Sequence, residues 1–148
     1  MKKFNGNPAN ILLVEDNQGD ARLAMEALKD GSVNNVLNHV FDGVEAMEYL
    51  KKEDKFNNAL RPDLILLDLN MPRMDGREFL AEIKNHPELA SIPIIVLTTS
   101  QSETDIAKSY HLNANCYISK PVDFKGFGEV MRAIEQFWFS VVSLPDTP

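Results

Sequence analysis

The chain has 148 residues, 44% hydrophobic and 25% charged, with 22 acidic against 15 basic side chains and a formal net charge of −7. That length suits one domain with a core that needs no staples, and the composition excludes a chain disordered throughout. The acidic balance argues against nucleic-acid binding, which needs a positive surface; the lone Cys116 excludes an internal disulfide; and no apolar run marks a membrane span or a signal peptide, so a cytoplasmic protein is expected.

Taken in chain order, residues 1–9 and Pro145–Pro148 read as loose ends. The run Ile11-Leu12-Leu13-Val14 is short and continuous, as a strand buried on both faces should be. Leu23, Ala24, Ala27 and Leu28 then repeat at helical spacing, with Asn17 as N-cap and Asp20 in a capping-box-like position. A weaker strand covers about Leu37 to Phe41. Asp42 caps a helix carrying Val44, Met47 and Leu50, with Glu45 at the box position, and Lys51 to Pro62 reads as the end of that helix plus a long loop. Leu64-Ile65-Leu66-Leu67 is the clearest strand. Met71 to Gly76 is a turn-rich loop, and Phe79, Leu80 and Ile83 mark a helix that ends before Pro87. Ile94 to Leu97 is the fourth strand, Thr104 to Leu112 a short helix, Cys116 to Ile118 the fifth strand, and a last helix runs from about Asp123 to Val142.

Five strands, each followed by a helix, make a repeated βα pattern. No connection is short enough for a hairpin, so the sheet should be parallel, with right-handed crossovers and helices on both faces. The expected fold class is therefore α/β: one doubly wound (βα)5 domain, strand order 2-1-3-4-5. Ligands of such sheets bind beyond the carboxyl ends of the strands, where the first and third strands lie side by side.

Those ends are rich in chemistry. Glu15 and Asp16 follow the first strand, Asp68 the third, Thr98 to Ser100 the fourth, and Ser119 with Lys120 the fifth. Taken singly, each has a plain structural reading: helix N-terminal charge for Glu15 and Asp16, a loop cap for Asp68, a strand-end residue for Thr98, a salt bridge for Lys120. Taken together, three converging carboxylates repel unless a cation joins them. An oxygen-rich cluster with open positions suits Mg²⁺, which keeps several waters and also binds phosphate. A carboxylate nucleophile, a charge-neutralising metal, a hydroxyl and an ammonium form a set for phosphoryl transfer. His39, His86 and His111 lie outside the strand ends, share no ligand spacing, and read as surface or helix-end residues.

Four segments together resemble the signatures of receiver domains of two-component response regulators: Val14-Glu15-Asp16-Asn17, Asp68-Leu69-Asn70-Met71-Pro72-Arg73-Met74-Asp75-Gly76, Leu97-Thr98-Thr99-Ser100, and Tyr117-Ile118-Ser119-Lys120-Pro121. The resemblance spans about Ile11 to Phe139 and implies a flavodoxin-like fold. It implies that Asp68 is the phosphoacceptor, and that Asp16, Asp68 and the main-chain carbonyl of Asn70 bind Mg²⁺, with Glu15 acting through a metal-bound water. Glu15 stands where many receivers carry aspartate. Thr98 and Lys120 would hold the phosphoryl oxygens, Lys120-Pro121 would be a cis bond, and Tyr117 would be the switch aromatic that turns inward with Thr98. Glu15 to Leu23, the loop before Pro62, Asn113 to Tyr117 and Phe137-Trp138-Phe139 are most similar to the stand-alone regulators serving cyanobacterial phytochrome kinases. A phytochrome-like histidine kinase is the implied donor, and an unknown downstream protein the implied receiver of the signal.

The last helix carries a second message. Phe124, Phe127, Met131, Ile134, Trp138 and Val141 form one stripe at helical spacing, enough for docking on the sheet. Phe137, Phe139, Val142 and Leu144 are left over, so the segment through residues 123–144 becomes apolar nearly all round. One domain cannot cover the end of a helix about 30 Å long, and an exposed apolar patch of that size marks an interface. A homodimer through Phe137, Trp138, Phe139, Val141, Val142 and Leu144 is expected; a tail folded back on its own domain is the alternative. No basic face suggests a membrane surface, and no DNA-binding or enzymatic output domain is expected after it.

Three other readings compete with this one. An aspartyl-phosphate phosphatase of the haloacid-dehalogenase kind needs a second acid where Asn70 stands. A pseudo-receiver that only docks partners does not need the intact Asp68, Lys120 and acidic pair. A flavin carrier on the same fold needs a phosphate loop after the first strand, which is acidic in this chain.

Overall fold

The computed structural model describes residues 9–29, 35–68, 74–98 and 116–119, together with Glu129 and Arg132. Within them, strands β1 (Ala9–Val14), β2 (Asn35–Val40), β3 (Leu64–Asp68), β4 (Ile94–Thr98) and β5 (Cys116–Ser119) form one sheet of order β2-β1-β3-β4-β5. Every pairing is parallel. The helices are α1 (Gln18–Lys29), α2 (Gly43–Leu50), α3 (Gly76–Lys84) and α4 (Pro87–Ala90), with a 3-10 turn over Asp54–Phe56.

Side-chain alternation along the strands sorts the core into two layers. Leu12, Val14, Ile65, Leu67, Ile94 and Val96 face one way and pack with α2, α3 and α4 through Met47, Leu50, Phe79, Leu80, Ile83 and Leu89. Ile11, Leu13, Leu64, Leu66, Ile95 and Leu97 face the other way, against Ala21, Ala24, Ala27 and Leu28 of α1. The small residues of α1 let that helix lie close to the sheet. The central strands are covered on both sides, which is why β3 reads as an unbroken apolar run. The doubly wound parallel sheet of order 2-1-3-4-5 is therefore present as expected.

The helix starts follow capping chemistry. Asn17 Oδ1 accepts the Asp20 N–H at 2.9 Å, as its sequence position suggested. Asp42 Oδ1 accepts the Glu45 N–H at 2.8 Å, but the Glu45 carboxylate takes the Phe41 N–H at 2.9 Å and Lys55 Nζ at 3.1 Å. Asp75 and Glu78 form a full capping box at the start of α3.

Three details depart from expectation. β1 and β2 each begin two residues earlier than their apolar runs, at Ala9 and Asn35. The polar stretch after α2 contains the 3-10 turn, whose Phe56 meets Tyr49 edge-on at 5.3 Å. Pro87 does not only end a helix: it stands at the first position of α4, where its missing N–H has no intrahelical partner to lose. The predicted helix at 104–112 lies outside the described residues, as do the loose ends at 1–8 and 145–148. Glu129 and Arg132, inside the predicted last helix, are helical and exposed.

Candidate functional site

The two strands at the centre of the sheet deliver the acidic residues. β1 and β3 pair with Val14 opposite Leu67, so the next residues, Glu15 and Asp68, reach the same level at the carboxyl edge. Asp16 follows one residue on and is exposed to solvent. One carboxylate oxygen from each of Glu15, Asp16 and Asp68 lies within 4.8 Å of the others. Glu15 is 1% exposed and Asp68 3%.

Burial sharpens the electrostatics. Carboxylates that converge within 4.8 Å disfavour one another's negative charge, the more so where burial lowers the effective dielectric constant. A divalent cation turns that repulsion into attraction. Hard oxygen donors from two strand ends, with one side open to water, match the preference of Mg²⁺ or Mn²⁺ for carboxylate and water ligands.

The main chain around Glu15 is firmly held. Its N–H donates to Val40 O at 3.0 Å, and His39 Nε2–H donates to its carbonyl at 2.7 Å. The Asn17 N–H donates to Glu15 Oε2 at 3.3 Å. His39 is the correction here. It sits next to last in β2, partly buried and tilted against Phe41 at 4.4 Å, rather than away from the strand ends. Only the pairing of β2 with β1 brings it to Glu15, and no local sequence signal announces that. His86 does occupy a helix end, preceding α4, with Nε2 3.3 Å from Glu82 Oε1.

On the other side of β3, Asp68 is opposite Leu97, and Thr98 is opposite Ser119 on β5. This puts Thr98 at the same edge as the acidic cluster, one step beyond Asp68's partner. Val96 is opposite Tyr117, so Tyr117 lies one strand over from Thr98. Asn70, Lys120, Pro121, Phe137, Trp138, Phe139, Val141, Val142 and Leu144 lie outside the described residues. Among the described residues, Glu15, Asp16 and Asp68 are the group of metal-ligating side chains that converge.

Comparison with known proteins gives the arrangement its context. Residues 11–132 match the response regulator receiver domain. The response regulator Rcp1 of Synechocystis sp. is 47% identical over 138 residues, covering 93% of this chain and 94% of that protein. The crystal structure of the phosphorylated cyanobacterial phytochrome response regulator RcpA superposes with a TM-score of 0.84 at 51% identity, over 93% of this chain and 99% of that one. The Mn²⁺-bound form of Rcp1 superposes with a TM-score of 0.82 at 47% identity, over the same shares. Phosphorylation of an aspartate by a kinase is the general mechanism of this family of signalling proteins. With its parallel sheet, its buried acidic pair at the central strand ends and this match over most of its length, the chain belongs to the response regulator receiver domain family.

Proposed function

We propose that this protein accepts a phosphoryl group on Asp68 from the phosphohistidine of a partner histidine kinase, in a Mg²⁺-dependent reaction, and signals through protein–protein contacts. The observation that carries the proposal is the convergence of Glu15, Asp16 and Asp68 at the carboxyl edge of β1 and β3. Asp68 is the acid on the central strand, buried and held by sheet pairing on both sides.

In the reaction, an Asp68 carboxylate oxygen forms a bond to phosphorus as the phosphorus–nitrogen bond of the donor breaks, and the imidazole leaves with its electron pair. The product is an acyl phosphate on Asp68. Mg²⁺, when bound, neutralises the charge on the phosphoryl oxygens. Asp16 and Asp68 would hold it directly with the Asn70 carbonyl, and Glu15 through a water. Thr98 and Lys120 would bind the phosphoryl oxygens, and Tyr117 would follow Thr98 as the reporting side chain. Hydrolysis of the acyl phosphate resets the protein, so the chain catalyses only its own modification and release.

The likeness to RcpA supports a phytochrome-type photoreceptor kinase as donor. The all-round apolar pattern from Phe137 to Leu144 supports a homodimer through the last helix and a protein rather than nucleic-acid target. Among the described residues no helix is long and apolar enough to cross a membrane, and a cytoplasmic location is part of the proposal.

The test is intact mass after incubation with a small acyl-phosphate donor, with and without Mg²⁺, beside Asp68→Asn. One Mg²⁺-dependent phosphoryl group on the natural protein and none on the variant is the expected result. A folded protein that takes up none, or a variant that takes up as much, would overturn the assignment.

A further inference from the structure

The two segments that carry the acidic cluster are tied together through a third. The end of β2 holds both main-chain polar groups of Glu15: Val40 O accepts its N–H at 3.0 Å, and His39 Nε2–H donates to its carbonyl at 2.7 Å. Three residues after Val40, the Gly43 N–H donates to Met74 O at 3.0 Å. Met74 belongs to the stretch that leads from Asp68 into α3. The short turn from His39 to Gly43 therefore holds both the Glu15 main chain and Met74 at the entry to α3.

The grip on Met74 is close. Gly43 is buried, and a Cβ added there would lie 2.2 Å from Met74 O, 2.8 Å from Met74 Cγ and 2.9 Å from Met74 Cβ. The nearest atom is backbone, so it cannot swing aside as a side-chain tip would. Met74 itself has φ 33°, in the left-handed region that a residue with a Cβ rarely adopts. Such a conformation persists where its surroundings over-determine it. Here they are the hydrogen bond from Gly43 and the packing of Met74 against the core layer under α2 and α3.

The geometry points to the His39–Gly43 turn as a positioning brace for the metal site, fixing the separation between the Glu15 main chain and Met74, two residues before α3. The inference rests on the metal reading proposed above. Gly43 and His39 touch neither ion nor phosphoryl group; they act through Met74 and Glu15. Groups that orient ligands in this indirect way typically change metal affinity by about 10–100-fold when removed.

Calorimetric titration with Mg²⁺, well below the melting temperature, separates a brace from a merely structural contact. The proteins are the natural chain, Gly43→Ala, His39→Ala, His39→Gln and Leu89→Ala. Leu89 is buried in α4, just before the start of β4 and so at the opposite edge of the sheet, and its truncation lowers stability without touching the turn. The expected result is natural affinity for Leu89→Ala, a loss of roughly tenfold or more for Gly43→Ala, a smaller loss for His39→Ala, and recovery in His39→Gln, whose amide can still donate to Glu15 O. If the natural chain binds Mg²⁺ and both brace variants bind it as Leu89→Ala does, the brace is wrong and the metal reading stands. If the natural chain binds none, the metal reading falls and takes the brace with it. Should Gly43→Ala fail to fold, the His39 pair decides alone: unchanged affinity in His39→Ala overturns the brace, and loss with recovery in His39→Gln supports it.

Discussion

Glu15 and Asp68 stand at the same level at the carboxyl ends of two paired parallel strands, almost wholly buried, with carboxylate oxygens within 4.8 Å of each other. A cation that draws these oxygens together binds the folded chain and not the unfolded one, so metal binding should be visible as stability. At a Mg²⁺ concentration about 100 times the dissociation constant, mass action adds about 2.7 kcal/mol. For a chain of this size that corresponds to a rise in Tm of roughly 5–10 °C. Asp16→Asn removes one donor at the exposed side of the cluster and should shrink the rise at the same Mg²⁺ concentration. Thermal melts in MgCl2 against KCl of equal ionic strength check this. An equal rise in both salts would mean general screening rather than a site.

Lys52 ends α2 in a left-handed conformation, with φ 58°. Its N–H donates to Tyr49 O at 3.1 Å, and the Glu53 N–H donates to Glu48 O at 2.9 Å. These two bonds are those of a Schellman motif, whose left-handed position is usually glycine. Lys52 is exposed, so its side chain adds little packing. Lys52→Gly should therefore raise stability by about 0.5–1 kcal/mol, the left-handed penalty relieved less the added freedom of the unfolded chain. A urea midpoint at or below that of the natural protein would contradict it.

At the start of α3 the Asp75 side chain accepts the Glu78 N–H at 3.0 Å, and the Glu78 carboxylate accepts the Asp75 N–H at 3.2 Å. Asp75→Ala should lower stability by about 1 kcal/mol, the usual worth of an N-cap. The half-exposed Arg77–Asp75 pair at 3.6 Å adds little. Glu78→Gln preserves both bonds and should leave the urea midpoint nearly unchanged. Equal losses in the two variants would show that charge rather than the reciprocal bonding matters.

Sequence periodicity recovers this fold wherever the physics is local. β3 and β4 announce themselves because strands covered on both faces must be apolar at every position, and Leu64 to Leu67 and Ile94 to Leu97 are. β2 is weaker because it is an edge strand, with Val36 exposed and Asn38 and His39 interrupting the pattern. Glu15, Asp16 and Asp68 were legible because the topology itself directs strand ends to one crevice. The roles of His39, Gly43 and Met74 were not, since each depends on a partner 24 to 31 positions away in the chain. Gly43 looks like an ordinary turn glycine until Met74 O is seen where its Cβ would go. The capping box at Asp75 was hidden for another reason: Met71 to Gly76 reads as a turn, and the turn's last residues are also the helix's first.

Tyr49 supplies a test at the far end of the pH scale. Its ring is buried on α2, edge-on to Phe56. Burial raises its phenol above the ordinary value of 10.0, because the phenolate loses solvation. Between the unfolded and folded pKa the unfolded chain has given up a proton that the native chain still holds. Stability is then fully present below about pH 10 and falls as pH rises through the folded value. Tyr49→Phe removes that titration. Urea midpoints measured from about pH 8 to pH 11 should fall more steeply for the natural protein than for the variant, with the curves parting only above about pH 10. Parallel curves over the whole range would mean that Tyr49 reaches solvent freely enough to ionise in the folded state.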